Sequence, residues 1–260
     1  MMVRPLHARR IVVTRPIAQA GMLAAMIAER GGEAICCPLL EIGPADDMGP
    51  LQMAAAHLTT YALVVFISPN AVGYGLSILL AGRVWPEAVK VAAIGPGTVA
   101  ALAACGVTGT IAPRERFDSE ALLALPEFGA AAVAGRRVLL MRGNGGRELL
   151  AETLRERGAI VDCLTCYRRS PPADAHGLLV LLRGNGVDAL TISSSEGLRN
   201  LWSLLEPQDR LQLARLPLFV PHARIVDEAA KLGLTKIVLT GPADAGILEG
   251  LVAFQGFGHE

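Results

Sequence analysis

The sequence predicts an α/β protein built on parallel sheets, and three observations carry that expectation. Arg136 to Arg169 reads as strand, turn, helix, strand; Arg9 to Leu40 repeats it without a gap; and the other predicted strands end in polar or glycine-rich turns. In the first stretch Val138 to Met141 is a short apolar run, followed by Gly143-Asn144-Gly145-Gly146 and by Leu149, Leu150, Thr153 and Leu154 at helical spacing. Gly158 stands where a helix C′ glycine belongs, after Arg155 and Arg157, and Ala159 to Tyr167 resumes as a long strand. Such a strand-helix-strand unit implies a parallel sheet.

The repeat extends further. Arg10 aligns with Arg137, Arg15 with Arg142 and Gly31 with Gly158, each at an offset of 127. Leu63 to Val72 matches Ala189 to Leu198 at an offset of 126, and Val91 to Gly106 matches Leu218 to Gly233 at 127 again. A duplicated α/β unit therefore spans nearly the whole chain, and 260 residues suffice for two cores.

Composition narrows the function. With 52% hydrophobic and 18% charged residues the chain reads as well buried and globular, and no uncharged apolar run approaches the ~18 residues of a membrane span. Met1 to Arg10 lacks the apolar core of a secretory signal, so the expected location is cytoplasmic. Zero formal net charge removes the bulk electrostatic case for nucleic acid. Cys36, Cys37, Cys105, Cys163 and Cys166 are expected to be small buried hydrophobes: Cys163 and Cys166 alternate along a strand, without metal or redox geometry.

Taken in order, Ile11 to Thr14 is a strand, Ala20 to Arg30 an amphipathic helix through Leu23, Met26 and Ile27, and Ala34 to Leu40 a second strand. Pro38, Pro44 and Pro50 punctuate a non-periodic stretch where the chain leaves this unit. Tyr61 to Ser68 is a strand buried on both faces, and Ser68-Pro69-Asn70 caps the helix after it. Val91 to Ile94 is a strand, ending at Gly95-Pro96-Gly97-Thr98 before an alanine-rich helix that stops at Gly106, and Gly109 to Ala112 is a short strand. Phe117-Asp118-Ser119-Glu120 opens a helix with capping chemistry. Beyond the central unit, Ser170-Pro171-Pro172 marks a second exit, and Asp188 to Ser194, Pro217 to Pro221 and Lys236 to Thr240 are strands, each followed by a helix.

The strand ends collect the candidate site: Thr14-Arg15, Ser68-Pro69-Asn70, Gly95-Pro96-Gly97-Thr98, Arg142-Gly143-Asn144-Gly145-Gly146-Arg147, Ser193-Ser194-Ser195-Glu196 and Pro221-His222-Ala223-Arg224. Hydroxyls, small residues and arginines at helix N-termini favour anions, so the ligand should carry several carboxylates or phosphates. A dinucleotide is the obvious rival, yet Gly143 to Glu148 lacks the third glycine of that fingerprint, although Asp162 lies at roughly the ribose-binding distance. With no phosphate-binding P-loop, no metal-spaced cluster and no nucleophile elbow, the expected cofactors and metals are none.

Several of these pieces occur together in one known family. Ile11-Val12-Val13-Thr14-Arg15-Pro16 with Gln19, Phe66-Ile67-Ser68-Pro69-Asn70-Ala71-Val72, Ala93-Ile94-Gly95-Pro96-Gly97-Thr98, the Arg142 to Arg147 turn, Cys166-Tyr167-Arg168-Arg169, Ile192-Ser193-Ser194-Ser195 and the His222 to Gly233 segment resemble the uroporphyrinogen-III synthase family in its order and spacing. The resemblance covers about Arg9 to Leu251. It implies two Rossmann-like or flavodoxin-like parallel-sheet domains on a two-stranded ribbon that the chain crosses twice. One domain would hold residues 1–37 and 170–260, the other 42–165, with 38–41 and 166–169 as ribbon. Each domain would then take the strand-helix-strand unit of one copy and the later half of the other.

The implied reaction is cyclisation of the linear tetrapyrrole hydroxymethylbilane, with loss of water and inversion of the last pyrrole ring. The open substrate closes unaided to the uninverted isomer, so catalysis is expected to lie mainly in holding a conformation. The substrate's carboxylates suit the anion-binding turns. Tyr167 is the expected catalytic group, as a neutral phenolic donor that assists departure of the hydroxyl; the resemblance points to it as well. Thr98 is the second candidate and His222 a third. The resemblance further implies a monomer and leaves open whether neighbouring pathway enzymes hand on the substrate. The alternative is a non-catalytic two-domain binder of a polycarboxylate.

Overall fold

The computed structural model describes residues 4–146, 148–172 and 174–257. Among these residues the strands are β1 (Arg10–Val13), β2 (Glu33–Cys36), β3 (Glu41–Pro44), β4 (Leu63–Phe66), β5 (Lys90–Ala93), β6 (Arg137–Gly143), β7 (Ile160–Ser170), β8 (Ala189–Thr191), β9 (Leu218–Val220) and β10 (Ile237–Leu239). They form two five-stranded sheets, ordered β10-β9-β8-β1-β2 and β3-β7-β6-β4-β5. The chain divides into two compact units, Met1–Glu41 with Ser170–Glu260, and Ile42–Arg169.

In the first unit β1 pairs with β2 and β8, and β9 with β8 and β10, all in parallel. The strand-helix-strand unit of one copy thus shares a sheet with the later half of the other. Numbered within the unit the order is 2-1-3-4-5, the doubly wound arrangement that changes direction between its first and third strands, here β1 and β8. Side chains alternate across the sheet: Ile11 and Val13 pack with Leu23, Ile27 and Leu251 on one face, and Val12 with Leu190, Leu201 and Val220 on the other.

The second unit repeats the plan. β4 pairs in parallel with β5 and β6, and β6 with β7, so the direction changes between β6 and β4. Val64, Phe66, Leu139 and Met141 face one core, Leu63, Val65, Val138 and Leu140 the other, which is why all four residues of β4 are buried. The short strand expected at Gly109 to Ala112 is reduced to a single parallel bridge between Ile111 and Ala92. Its repeat counterpart, Val238 opposite Phe219, lies in a full strand.

The duplication is visible in backbone detail. Gly31 and Gly158 adopt φ of 86° and 85° just past helices Ile17–Glu29 and Leu149–Glu156. In each case the next residue, Gly32 or Ala159, donates its N–H back to Ile27 or Leu154 across the end of the helix. A residue with a Cβ would be strained at either glycine.

Two elements went unforeseen and one expectation needs correction. The non-periodic stretch after residue 40 holds β3 and the helix Gly49–Ala56, neither of which was read from the sequence. The prolines hid these elements because Pro44 ends an edge strand and Pro50 sits in the first helical turn, two places where a missing N–H costs nothing. The cysteines are not uniformly buried. Cys166 is, but Cys36 and Cys105 are exposed, since Cys36 ends a strand at the sheet's edge and Cys105 caps a helix C-terminus. Among the described residues no helix is long and apolar enough to cross a membrane.

Candidate functional site

In the second unit the direction change brings the ends of β4 and β6 side by side, with Phe66 opposite Met141 and Ile67 N–H donating to the Met141 carbonyl. Ser68 therefore stands beside Arg142 and Gly143. It is the N-cap of the helix Pro69–Leu80, and its Oγ accepts the Ala71 N–H at 3.2 Å. The Tyr167 hydroxyl lies 3.0 Å from the same Oγ.

Tyr167 reaches that point because β7 runs unbroken from Ile160 to Ser170 alongside β6. The β6–β7 register shifts between Arg142 and Gly143, which puts Gly143 opposite Tyr167. A Cβ on Gly143 would sit 2.6 Å from the tyrosine Cζ, so only glycine lets the ring lie there. The ring stacks on Tyr74, with centroids 6.2 Å apart, and is 4% exposed. Beside it in sequence, burial pushes the Cys166 thiol up to about 12, which leaves it an inert filler.

Asn144 has a structural task that its place in the turn did not announce. Its backbone N–H donates to the Tyr167 carbonyl, its side-chain amide donates to the Arg169 carbonyl at 3.0 Å, and its Oδ1 accepts the Arg169 N–H at 2.6 Å. The side chain thus continues the ladder one step beyond the strand. Gly145 is exposed in the turn that follows, and Arg147 lies outside the described residues.

The next strand adds the second turn. Gly95 caps the helix Pro96–Ala104, and a Cβ on Gly97 would meet Pro69 at 3.6 Å, so the two turns abut. Thr98 is in the first turn of that helix and 3% exposed. Pro69 and Gly97 are exposed and Asn70 half-buried, presenting helix N-termini along the carboxyl edge of the sheet.

In the first unit the direction change lies between β1 and β8. Thr14 is buried there and donates its hydroxyl to the Thr191 carbonyl at 2.6 Å, while Thr191 donates to the Val12 carbonyl at 3.2 Å. Ser194 caps the helix Ser195–Leu204, accepting the Gly197 N–H at 2.9 Å, as its counterpart Ser68 does in the other unit. Ser193 and Ser195 flank it, half-buried. His222 occupies the N-cap position of the helix Ala223–Lys231 without a side-chain capping bond, and it is exposed together with Ala223 and Arg224.

The repeat-related arginines are both ion-paired. Arg15 pairs with Asp244, 229 residues away, and Arg142 with Glu148 at 2.6 Å. The Arg142 hydrogen bond holds the Glu148 carboxyl below its usual range. Arg142 leaned out of a glycine turn in the sequence, but its partner and that of Arg15 were not foreseen. Glu148 was legible as an acid in the same turn; Asp244 carried no local signal.

At the opposite, amino-terminal edge of the second sheet, Asp162 accepts from Arg137 at 2.6 Å and from the Tyr61 hydroxyl at 2.8 Å. Burial, then the Asp162 hydrogen bond, pushes the Tyr61 phenol up to about 12. An acid committed there is not free for a ribose at the Gly143 turn, which removes the one feature that favoured a dinucleotide. Among the described residues no group of three or more His, Cys, Asp or Glu side chains could hold a metal.

Known proteins match this arrangement. A family model described as uroporphyrinogen-III synthase HemD matches residues 22–249. The chain is 37% identical over 237 residues to the uroporphyrinogen-III synthase of Salmonella typhimurium, covering 90% of this chain and 96% of that one. It is 34% identical, with the same coverage, to the one from Escherichia coli. Among solved structures, a mutant uroporphyrinogen III synthase from Thermus thermophilus superposes with a TM-score of 0.63 at 18% identity, over 94% of this chain and 97% of that one. The Helicobacter pylori uroporphyrinogen-III synthetase gives 0.56 at 14%, over 93% and 97%. At those identities the two structures speak for the fold.

Proposed function

The chain belongs to the uroporphyrinogen-III synthase family, and from that premise we propose that it cyclises hydroxymethylbilane to uroporphyrinogen III as a lyase that needs no cofactor. The observation that carries this reading is the pairing of Tyr167 with Ser68 at a direction change of the sheet, among helix N-termini suited to carboxylates. Arg15, Arg142, Arg224 and the turns at Ser193–Ser195, His222–Ala223, Gly95–Gly97, Pro69–Asn70 and Gly143–Gly145 would hold the substrate's rim. Backbone N–H groups can do most of this, so few contacts demand a particular side chain.

The chemistry needs one proton donor and one conformation. The pyrrole nitrogen pushes out the hydroxymethyl oxygen, which takes a proton from Tyr167 and leaves as water, giving an azafulvenium cation. When Ser68 donates its hydroxyl hydrogen to the tyrosine oxygen, the phenolic proton is free for this task. The substituted carbon of the terminal ring attacks the cation. The resulting spiro intermediate breaks its older carbon–carbon bond, and the released methylene cation closes on the ring's free carbon, whose proton returns to the phenolate. Thr98, buried in the neighbouring helix start, is assigned to support of that edge.

The same reading takes the protein as a cytoplasmic monomer acting on a small molecule, without nucleic acid or membrane. Supplying hydroxymethylbilane and resolving the product isomers by chromatography tests it. Inverted isomer above the spontaneous background is expected. Only the uninverted isomer at the spontaneous rate would instead leave a non-catalytic polycarboxylate binder.

A further inference from the structure

The turns at the carboxyl edge of the second sheet match the charged rim of a linear tetrapyrrole, but a pyrrole ring also has two flat, electron-rich faces. Phe117 is the one aromatic side chain among the described residues that is largely open to solvent, at 52% exposure. Its Cβ and Cγ lie 3.5 and 3.8 Å from where a side chain on Gly95 would begin, beside the N-cap of the helix Pro96–Ala104.

Local contacts fix the backbone that carries the ring. Asp118 caps the helix Ser119–Leu123, accepting the Ala121 N–H at 2.8 Å and pairing with Arg116 at 2.7 Å. Phe117 precedes the cap, and a hydrophobic residue there commonly folds onto the fourth helical residue, here Leu122. Leu122 is fully buried among Val65, Phe128 and Leu140, whereas Phe117 keeps half of its surface open. The backbone around the ring is pinned while the ring is left outside. At the repeat's offset of 127, Phe117 corresponds to Asp244, whose side chain reaches the switch-point Arg15 in the other unit.

We propose that Phe117 packs against a pyrrole face of the linear substrate and helps to set the isomer formed, an inference that rests on the cyclisation reading above. A buried aromatic contact of this kind is worth roughly a three- to tenfold change in affinity. The test compares wild type with Phe117→Ala, Phe117→Leu and Phe117→Trp for KM, kcat, isomer ratio and thermal unfolding. The Ala variant should raise KM about three- to tenfold, release more uninverted isomer and unfold at the wild-type temperature; Trp should restore KM and Leu fall between. Unchanged KM and isomer ratio in Phe117→Ala, or an equal loss in Ala and Trp, would overturn the assignment. A wild-type protein that makes no inverted isomer would instead sink the cyclisation reading.

Discussion

The phenolic oxygen of Tyr167 lies 3.0 Å from the Oγ of Ser68, a residue that also caps the next helix, so one hydroxyl ties the candidate acid to the N-terminus of the helix Pro69–Leu80. Tyr167→Phe should lower kcat about tenfold, the low end of general-acid effects, while KM stays within about twofold. Losing one buried hydrogen bond should cost about 1 kcal/mol in folding, read from chemical denaturation. Full turnover with intact folding would reassign Tyr167 to packing.

Gly143 is the position at which the same ring leaves no room. Gly143→Ala places a methyl group 2.6 Å from the tyrosine Cζ, against a ring held by Tyr74. Destabilisation of about 1–3 kcal/mol is expected from overpacking. Activity should fall with it, because the displaced hydroxyl loses Ser68. An alanine variant with wild-type stability and kcat would show that the ring moves freely.

Arg142 pairs with Glu148, and on the proposed reading it also meets a substrate carboxylate. Glu148→Gln removes the competing charge and should lower KM about two- to threefold at low salt, with the advantage fading at high ionic strength. Arg142→Ala should raise KM with little change in Tm. The opposite order of KM values would place Arg142 outside the binding surface.

Asp209 reports on stability alone. It is buried and receives both arms of Arg183, at 2.7 and 2.9 Å, while closing a capping box with Glu206. The Arg183 hydrogen bond holds its carboxyl below the usual range. A lowered folded pKa means that its contribution is complete above the ordinary carboxylate range near ~4 and is lost as pH falls through the folded value. Asp209→Asn should lower Tm by about 3 °C or more at neutral pH, and its gap from wild type should narrow as pH drops from about 5 to 2. A gap independent of pH would exclude the charge as its source.

Much of the architecture was legible because it is encoded locally. Buried runs such as Leu63–Phe66, the glycines at 31 and 158 and the serine caps at 68 and 194 each answer to sterics or hydrogen bonding within a few residues. The strand and helix at 41–56 went unread on local grounds too, since proline marks edge strands and first helical turns as readily as loops. Within the candidate site, residue types were visible and their commitments were not. Asn144, a candidate for binding, also serves the β7 ladder, and Thr14, another, donates to Thr191.

By itself the sequence determined the repeated strand-helix-strand unit, the places where strands end, and the polar turns found there, all properties of near neighbours along the chain. Only the tertiary structure decided that Arg15 meets Asp244, that Tyr167 rests on Gly143 and reaches Ser68, and that Phe117 stays outside the core. Those outcomes depend on strand order and register, which bring distant residues to within a few ångströms and leave no periodic trace in the sequence.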